Sequence, residues 1–321
     1  MVINIQNTII CDWVDEVSHY DLPEPLLKAI STRCEYYGVN LEMDGKVADS
    51  VRHDVIACIG NRFDARLLEK LPNVKWVQFG SVGTDKIPPE FAYERDIIIT
   101  NARGIFESAV ARHTYWLIIN SLQKQIDYNC QFNRRQWEST NKISLNSLTF
   151  LILGTGPIAQ KLKSILKSCG FKSLLVAREE HIGLSDDVIS HRDLQKINKE
   201  TIAVVNLLPA NNNEQFVDKD YLSVFKDMYL YVNVGRIETE NHDQIVEMLK
   251  MNEIKNAAWD VIKDPKKASL LINEFGDRVI LTPHVASFNS NHWPALAELT
   301  LHNISAFLSG ETNKLRNYCY G

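Results

Sequence analysis

The chain of 321 residues is long enough for two domains with separate cores, and its 45% hydrophobic and 23% charged content is ordinary for a globular protein. Its 35 Lys and Arg against 40 Asp and Glu leave a net charge of −5, which argues against nucleic acid or an anionic membrane as the main partner. No apolar run reaches membrane-spanning length, and the opening MVINIQNTIICDWVDE lacks a basic start and a cleavage signal, so a cytoplasmic protein is expected.

In chain order, Val2 to Ile10 reads as a strand and Glu24 to Tyr37 as a helix with Leu26, Leu27, Ile30 and Cys34 on one face. Val55 to Ile59 is a buried strand ending in Gly60-Asn61-Arg62, followed by a helix over Ala65 to Leu71. Val74 to Phe79 is a third strand, closed by Gly80-Ser81-Val82-Gly83-Thr84-Asp85, and Ile97 to Thr100 is a fourth. Phe106 to Trp137 reads as one long helix joining two domains. Beyond it, strands are expected at Leu148–Leu153, Phe171–Ala177, Thr201–Leu208, Met228–Val234, Ala257–Ile262 and Arg278–Leu281. Helices are expected near 217–226 and 241–251, and over Ser290–Ser309, where Gly310 ends the run. Strands alternating with helices predict an α/β fold with parallel sheets, in which ligands gather at the carboxyl ends of strands. The six cysteines (Cys11, Cys34, Cys58, Cys130, Cys169, Cys319) have no metal-like spacing, so reduced thiols and no metal site are expected.

The stretch SLTFLILGTGPIAQ (147–160) organises the rest. An apolar strand runs into Gly154-Thr155-Gly156-Pro157-Ile158-Ala159, and a helical pattern follows to Gly170. Gly154 permits a tight turn, and Gly156 lets a pyrophosphate approach N–H groups at a helix N-terminus. Ala159 lets the helix pack on the strand. Either a dinucleotide site or a plain strand–helix turn fits these residues. Pro157 suits the first helical position but removes one N–H donor. The second strand ends in Ala177-Arg178 rather than an acidic residue, an arrangement suited to a 2′-phosphate, so NADP(H) is favoured over NAD(H).

Further segments occur in a fixed order: LPNVKWVQFGSVGTDKI (71–87), TNARGIFESAVARH (100–113), NLLPANNNEQ (206–215), VNVGR (232–236), AAWDVIKDP (257–265) and LTPHVAS (281–287). With the 154–159 turn they resemble the D-isomer-specific 2-hydroxyacid dehydrogenase family, closest to its glyoxylate/hydroxypyruvate-reductase-like members. The resemblance implies two Rossmann-like domains. A discontinuous flavodoxin-like substrate domain would comprise 1–104 and 289–321, and a central dinucleotide-binding domain 105–288. It implies a homodimer, and cofactor contacts at the 154–158 turn, Leu208, Pro209, Val234, Gly235 and Asp260, the last at the nicotinamide carboxamide. Arg236 would be the substrate-binding arginine and His284 the acid/base. Backbone N–H groups of Val82 and Gly83 would receive the substrate carboxylate. Apart from the resemblance, Asn61 in the loop after the second strand is expected to help shape the substrate pocket. Asp264 would stand for the family's glutamate beside the histidine, in a segment one residue shorter than usual.

These residue types suit reduction of a 2-keto acid. Histidine titrates near operating pH and can supply a proton, while a planar guanidinium can hold the carboxylate and polarise the carbonyl together. Read singly, Arg236 is as easily a surface ion-pair residue and His284 a turn residue. Two other functions fit the same fold. One is a non-catalytic dinucleotide-binding regulator; the other is a dehydrogenase for a different small acid such as phosphoglycerate.

Overall fold

A computed structural model describes residues 7–12, 23–43, 52–133, 135–136, 138–139, 143, 147–177, 187–197, 201–226, 228–288 and 292–320. The chain divides into two compact units, Met1–Phe106 with Asn289–Gly321, and Glu107–Phe288.

The first unit contains β1 (Thr8–Asp12), α1 (Glu24–Tyr36), β2 (Asn40–Met43), β3 (Val55–Gly60), α2 (Ala65–Leu68), β4 (Trp76–Gln78), α3 (Pro89–Arg95) and β5 (Ile98–Thr100). Two later elements, α10 (His292–Leu308) and β13 (Tyr318–Tyr320), complete it. Its six-stranded sheet runs β13-β5-β4-β3-β1-β2, parallel except for antiparallel β13. The order β2-β1-β3-β4-β5 is that of flavodoxin-like sheets. Ile10, Cys58, Val77 and Ile99 bury the strands among Phe63, Leu68, Leu71 and Ile97. A polar chain ties α10 to this sheet: Asn303 Nδ2 donates to Gln78 Oε1 at 2.7 Å, and Thr100 Oγ1 donates to the same oxygen at 2.9 Å.

The second unit contains α4 (Glu107–Gln123), α5 (Gln125–Asn133), β6 (Leu148–Leu153), α6 (Pro157–Ser168), β7 (Lys172–Ala177), β8 (Val188–Ser190), β9 (Thr201–Asn206) and α7 (Lys219–Leu222). It continues with β10 (Met228–Asn233), α8 (His242–Lys250), β11 (Ile254–Trp259), α9 (Pro265–Phe275) and β12 (Val279–Leu281). Its seven strands are all parallel, in the order β12-β11-β10-β9-β6-β7-β8. That is the doubly wound dinucleotide-binding order with one strand added, and it reverses at β6. β6 is buried at all six positions, as parallel strands covered on both faces are.

Several elements differ from the sequence reading. The single helix expected over 106–137 breaks at Lys124, which adopts a left-handed φ of 57° and donates from Nζ to Asn256 Oδ1 at 3.1 Å. Trp137 lies outside the described residues, as does the 2–6 part of the expected first strand, whose described part runs on to Asp12. The strand expected over 257–262 sits earlier, at Ile254–Trp259. The helices expected at 65–71 and 217–226 are single turns, capped by Asp64 on Leu67 N and Asp218 on Tyr221 N, both at 2.8 Å. No described helix is long and apolar enough to cross a membrane, and the described residues contain no metal-ligating cluster.

Candidate functional site

At the end of β6, Gly154 has a φ of 108°, a conformation that β-carbons disfavour, and its N–H donates to Val176 O at 2.9 Å on the neighbouring strand. Gly156 is the N-cap of α6 and Pro157 its first residue. A β-carbon on Gly156 would meet nothing within 4 Å, and both residues are exposed, so the helix opens onto free space. Thr155 and Ile158 are half-buried, while Ala159 is buried against the strand. An exposed helix N-terminus behind two glycines fits a pyrophosphate. Ala177 ends β7 buried; Arg178 lies outside the described residues.

The next strand ends bring the other expected cofactor residues to the same edge. Leu208 follows β9 and reaches Gly154: a β-carbon there would touch Leu208 Cδ2 at 3.8 Å. Pro209 is exposed beside it. Buried Val234 and Gly235 follow β10, and their N–H groups each donate to Asn206 O at 3.1 Å. The backbone of Gly235 lies so near Leu208 that a β-carbon would fall 2.6 Å from its carbonyl oxygen. Arg236 comes next, half-buried and extended (φ −140°, ψ 142°). Its carbonyl accepts from Thr239 Oγ1 at 2.6 Å and Asn233 Nδ2 at 3.2 Å.

Asp260, just past β11, is 2% exposed, and both of its oxygens serve the loop that carries His284. Oδ1 accepts from Thr282 Oγ1 at 2.6 Å and Val285 N at 2.9 Å, while Oδ2 accepts from Ala286 N at 3.0 Å. His284 sits between these anchors, half-buried, with a left-handed φ of 58°. His113 of α4 joins from the other side, with Nε2 3.1 Å from Thr282 Oγ1 and 3.6 Å from Asp260 Oδ1. The Thr282 hydroxyl gives its one proton to Asp260, so His113 Nε2 must be the donor to Thr282. Its motif position was legible in ARH (111–113), but pattern alone could not show that it backs this loop.

Burial lowers the His113 pKa from its ordinary 6.5, and the Asp260 charge opposes that without reversing it. A histidine harder to protonate when folded adds stability above its unfolded pKa, and that share is lost as pH falls below about 6.5. Acidification from about pH 7.5 to about pH 5.5 should therefore depress the melting temperature more steeply in the parent than in His113→Gln. Parallel melting curves check this; identical slopes would remove His113 from the linkage.

Asp264 is exposed and is the N-cap of α9, where Oδ1 accepts from Lys266 N at 2.9 Å. In the first unit, Asn61 Oδ1 accepts from Gly80 N at 3.1 Å and so braces the turn containing Val82 and Gly83. That turn is held through its carbonyls, Val82 O by Asn101 Nδ2 at 2.7 Å and Gly83 O by Ser81 Oγ at 3.0 Å.

Comparison with known proteins agrees with this architecture. A glyoxylate reductase of Pyrococcus furiosus is 24% identical over 268 residues, 80% of each chain. One from Thermococcus litoralis is 24% identical over 315 residues, 90% of this chain and 92% of that one. Among solved structures, D-lactate dehydrogenase from Aquifex aeolicus, complexed with NAD and lactic acid, superposes with a TM-score of 0.81 at 18% identity. It covers 98% of this chain and 99% of its own. An NADPH-dependent glyoxylate/hydroxypyruvate reductase from Sinorhizobium meliloti, in complex with NADP and malonate, gives 0.80 at 21% identity, over 98% and 97%. The family description "D-isomer specific 2-hydroxyacid dehydrogenase, NAD binding domain" matches residues 115–286. More than half of the chain falls within that match, and the protein belongs to the D-isomer specific 2-hydroxyacid dehydrogenase family of NAD(P)-dependent oxidoreductases.

Proposed function

We propose that this enzyme reduces a small 2-keto acid of the glyoxylate or hydroxypyruvate type to the D-2-hydroxy acid, using NADP(H) in preference to NAD(H). The observation that carries the reading is the loop of Thr282 to Ala286, which a buried carboxylate grips on both sides of His284. A loop anchored in this way suits a proton donor that must keep one position. Gly154, Thr155, Gly156, Pro157 and Ile158 would hold the pyrophosphate, with Ala177 and Arg178 at the adenosine ribose. Leu208, Pro209, Val234 and Gly235 would line the remainder, and Asp260 would lie by the carboxamide. The reduced cofactor, when bound, supplies a hydride for the carbonyl carbon.

In this reading His284 gives a proton to the carbonyl oxygen, and Arg236 holds the substrate carboxylate while polarising that carbonyl. Val82 and Gly83, with Asn61 behind them, belong to the substrate side of the proposal, and Asp264 is the carboxylate offered to the His284 ring. The glyoxylate reductases above support the substrate class, and Ala177-Arg178 supports the 2′-phosphate. The resemblance supports a homodimer, and the sequence's composition and charge support a cytoplasmic setting. The test is a panel of 2-keto acids assayed by absorbance with NADPH and NADH. Turnover of glyoxylate or hydroxypyruvate is expected, with NADPH preferred, and Arg178→Ala should weaken NADPH far more than NADH. Cofactor binding without turnover of any small keto acid would overturn the proposal, and equal use of both cofactors would overturn the NADP(H) part.

A further inference from the structure

The loop after β10 contains a carboxylate that the proposed chemistry does not use. Glu240 is 3% exposed, in a core where a carboxylate loses its hydration and needs its acceptor sites filled. Here four donors fill them. Oε1 accepts from His242 Nδ1 at 2.7 Å and Trp259 Nε1 at 2.9 Å. Oε2 accepts from Tyr231 OH at 2.6 Å and Asn233 Nδ2 at 2.7 Å.

The last of these leads to Arg236. Asn233 is fully buried, and its amide spans the arginine's backbone: Nδ2 also donates to Arg236 O, while Oδ1 accepts from Gly235 N at 3.0 Å. Each end of the amide thus has a fixed role, and Glu240 takes the second N–H proton. Thr239, the residue before Glu240, closes the clamp from the other side. Its hydroxyl donates to Arg236 O and accepts from Asn206 Nδ2 at 2.9 Å. An apolar residue at 240 would pack as well but would leave Asn233, Tyr231 and Trp259 with buried unpaired donors.

We propose that Glu240, acting through Asn233 and with Thr239, is a positioning residue that fixes the backbone from which Arg236 reaches its substrate. The inference rests on the reading that Arg236 holds the keto acid. Glu240→Gln keeps the size but offers one acceptor oxygen for four donors, and its NH₂ confronts donors in either orientation. Asn233 then loses its fixed setting, and the Arg236 side chain starts from a less defined backbone.

The test is steady-state kinetics with glyoxylate, cofactor affinity by fluorescence titration, and a double-mutant cycle. In Glu240→Gln, kcat/KM should fall about 10- to 100-fold, mainly through KM for glyoxylate, with a smaller loss of NADPH affinity through Gly235, whose N–H Asn233 also holds. Thr239→Val, which removes the hydroxyl and leaves the carboxylate in place, should shift KM in the same direction by a smaller factor. With Arg236→Ala as background, Glu240→Gln should add almost nothing, since the group it positions is gone. Equal losses with and without Arg236 would mark Glu240 as merely structural and overturn the inference. If Glu240→Gln does not fold, Thr239→Val and its own cycle with Arg236→Ala decide, and an unchanged KM overturns it. Parent kinetics in Arg236→Ala would instead sink the reading of Arg236 and the inference with it. An impaired Arg236→Ala beside silent Glu240→Gln and Thr239→Val would sink the inference alone.

Discussion

His284→Asn is expected to lower kcat for keto-acid reduction by about 10²–10⁴-fold while the protein still binds cofactor. Asparagine is the informative replacement because the position has a φ of 58°, which Asn tolerates better than most residues. The bonds from Val285 N and Ala286 N to Asp260 involve only backbone donors, so they survive the change. What disappears is a group able to release a proton near neutral pH. Pre-steady-state hydride transfer measures the loss directly, and a rate near the parent's would take His284 out of the chemistry. Asp264→Asn asks the companion question. If its carboxylate favours the protonated ring, removing the charge should move the falling limb of the pH–rate profile to lower pH. An overlaid profile would leave Asp264 as the cap of α9 alone, the role its bond to Lys266 N already gives it.

The sequence revealed the second unit's central strands because each is a continuous apolar run, the signature of a strand covered on both faces. It did not reveal β2, whose alternating exposed and half-buried positions carry little apolar signal, nor β8 and β13, three residues each at or near sheet edges. The break at Lys124 has no Gly or Pro to mark it; a tertiary bond to Asn256 accompanies it, and no local pattern encodes such a bond. At the site, glycines, Arg236 and His284 stood out by motif and residue type. The side chains that hold them did not. Asn233, Glu240 and His113 acquire meaning only when β10, β11 and α4 are brought together, since each acts through a partner distant in sequence or hidden by a loop.

Gly235→Ala is expected to destabilise the enzyme by about 1–3 kcal/mol and to weaken cofactor binding with it. The new β-carbon would lie 2.6 Å from Leu208 O, 2.9 Å from Leu208 N and 3.0 Å from Leu207 C, all backbone atoms that cannot rotate away. Relief requires the chain after β9 to move from the chain after β10. That strains the bonds of Val234 N and Gly235 N to Asn206 O and displaces Leu208 from the Gly154 turn. Gly156→Ala is the contrasting case. Its β-carbon meets nothing within 4 Å, so stability should hold while the pyrophosphate loses its close approach. Melting temperature and NADPH titration on the two variants separate the effects. A stable, tight-binding Gly235→Ala would mean that the two loops give way more easily than their spacing implies.

The pairing of β13 with β5, and the bond from Asn303 to Gln78 across 225 positions, bear on how this chain is made. A ribosome emits residues 1–106 before the second unit, yet their sheet is not complete until β13 pairs with β5, and the helix bearing Asn303 and Phe307 emerges only after that unit. The second unit is a single uninterrupted stretch and can close as soon as it emerges. During synthesis the order of completion therefore runs against the order of translation, with the amino-terminal segment waiting half-built for its closing helix. Trp76, whose ring centre lies 5.1 Å from that of Phe307 in the finished fold, lacks that partner throughout the wait. Chaperones that bind exposed apolar segments would meet this chain chiefly within residues 1–106.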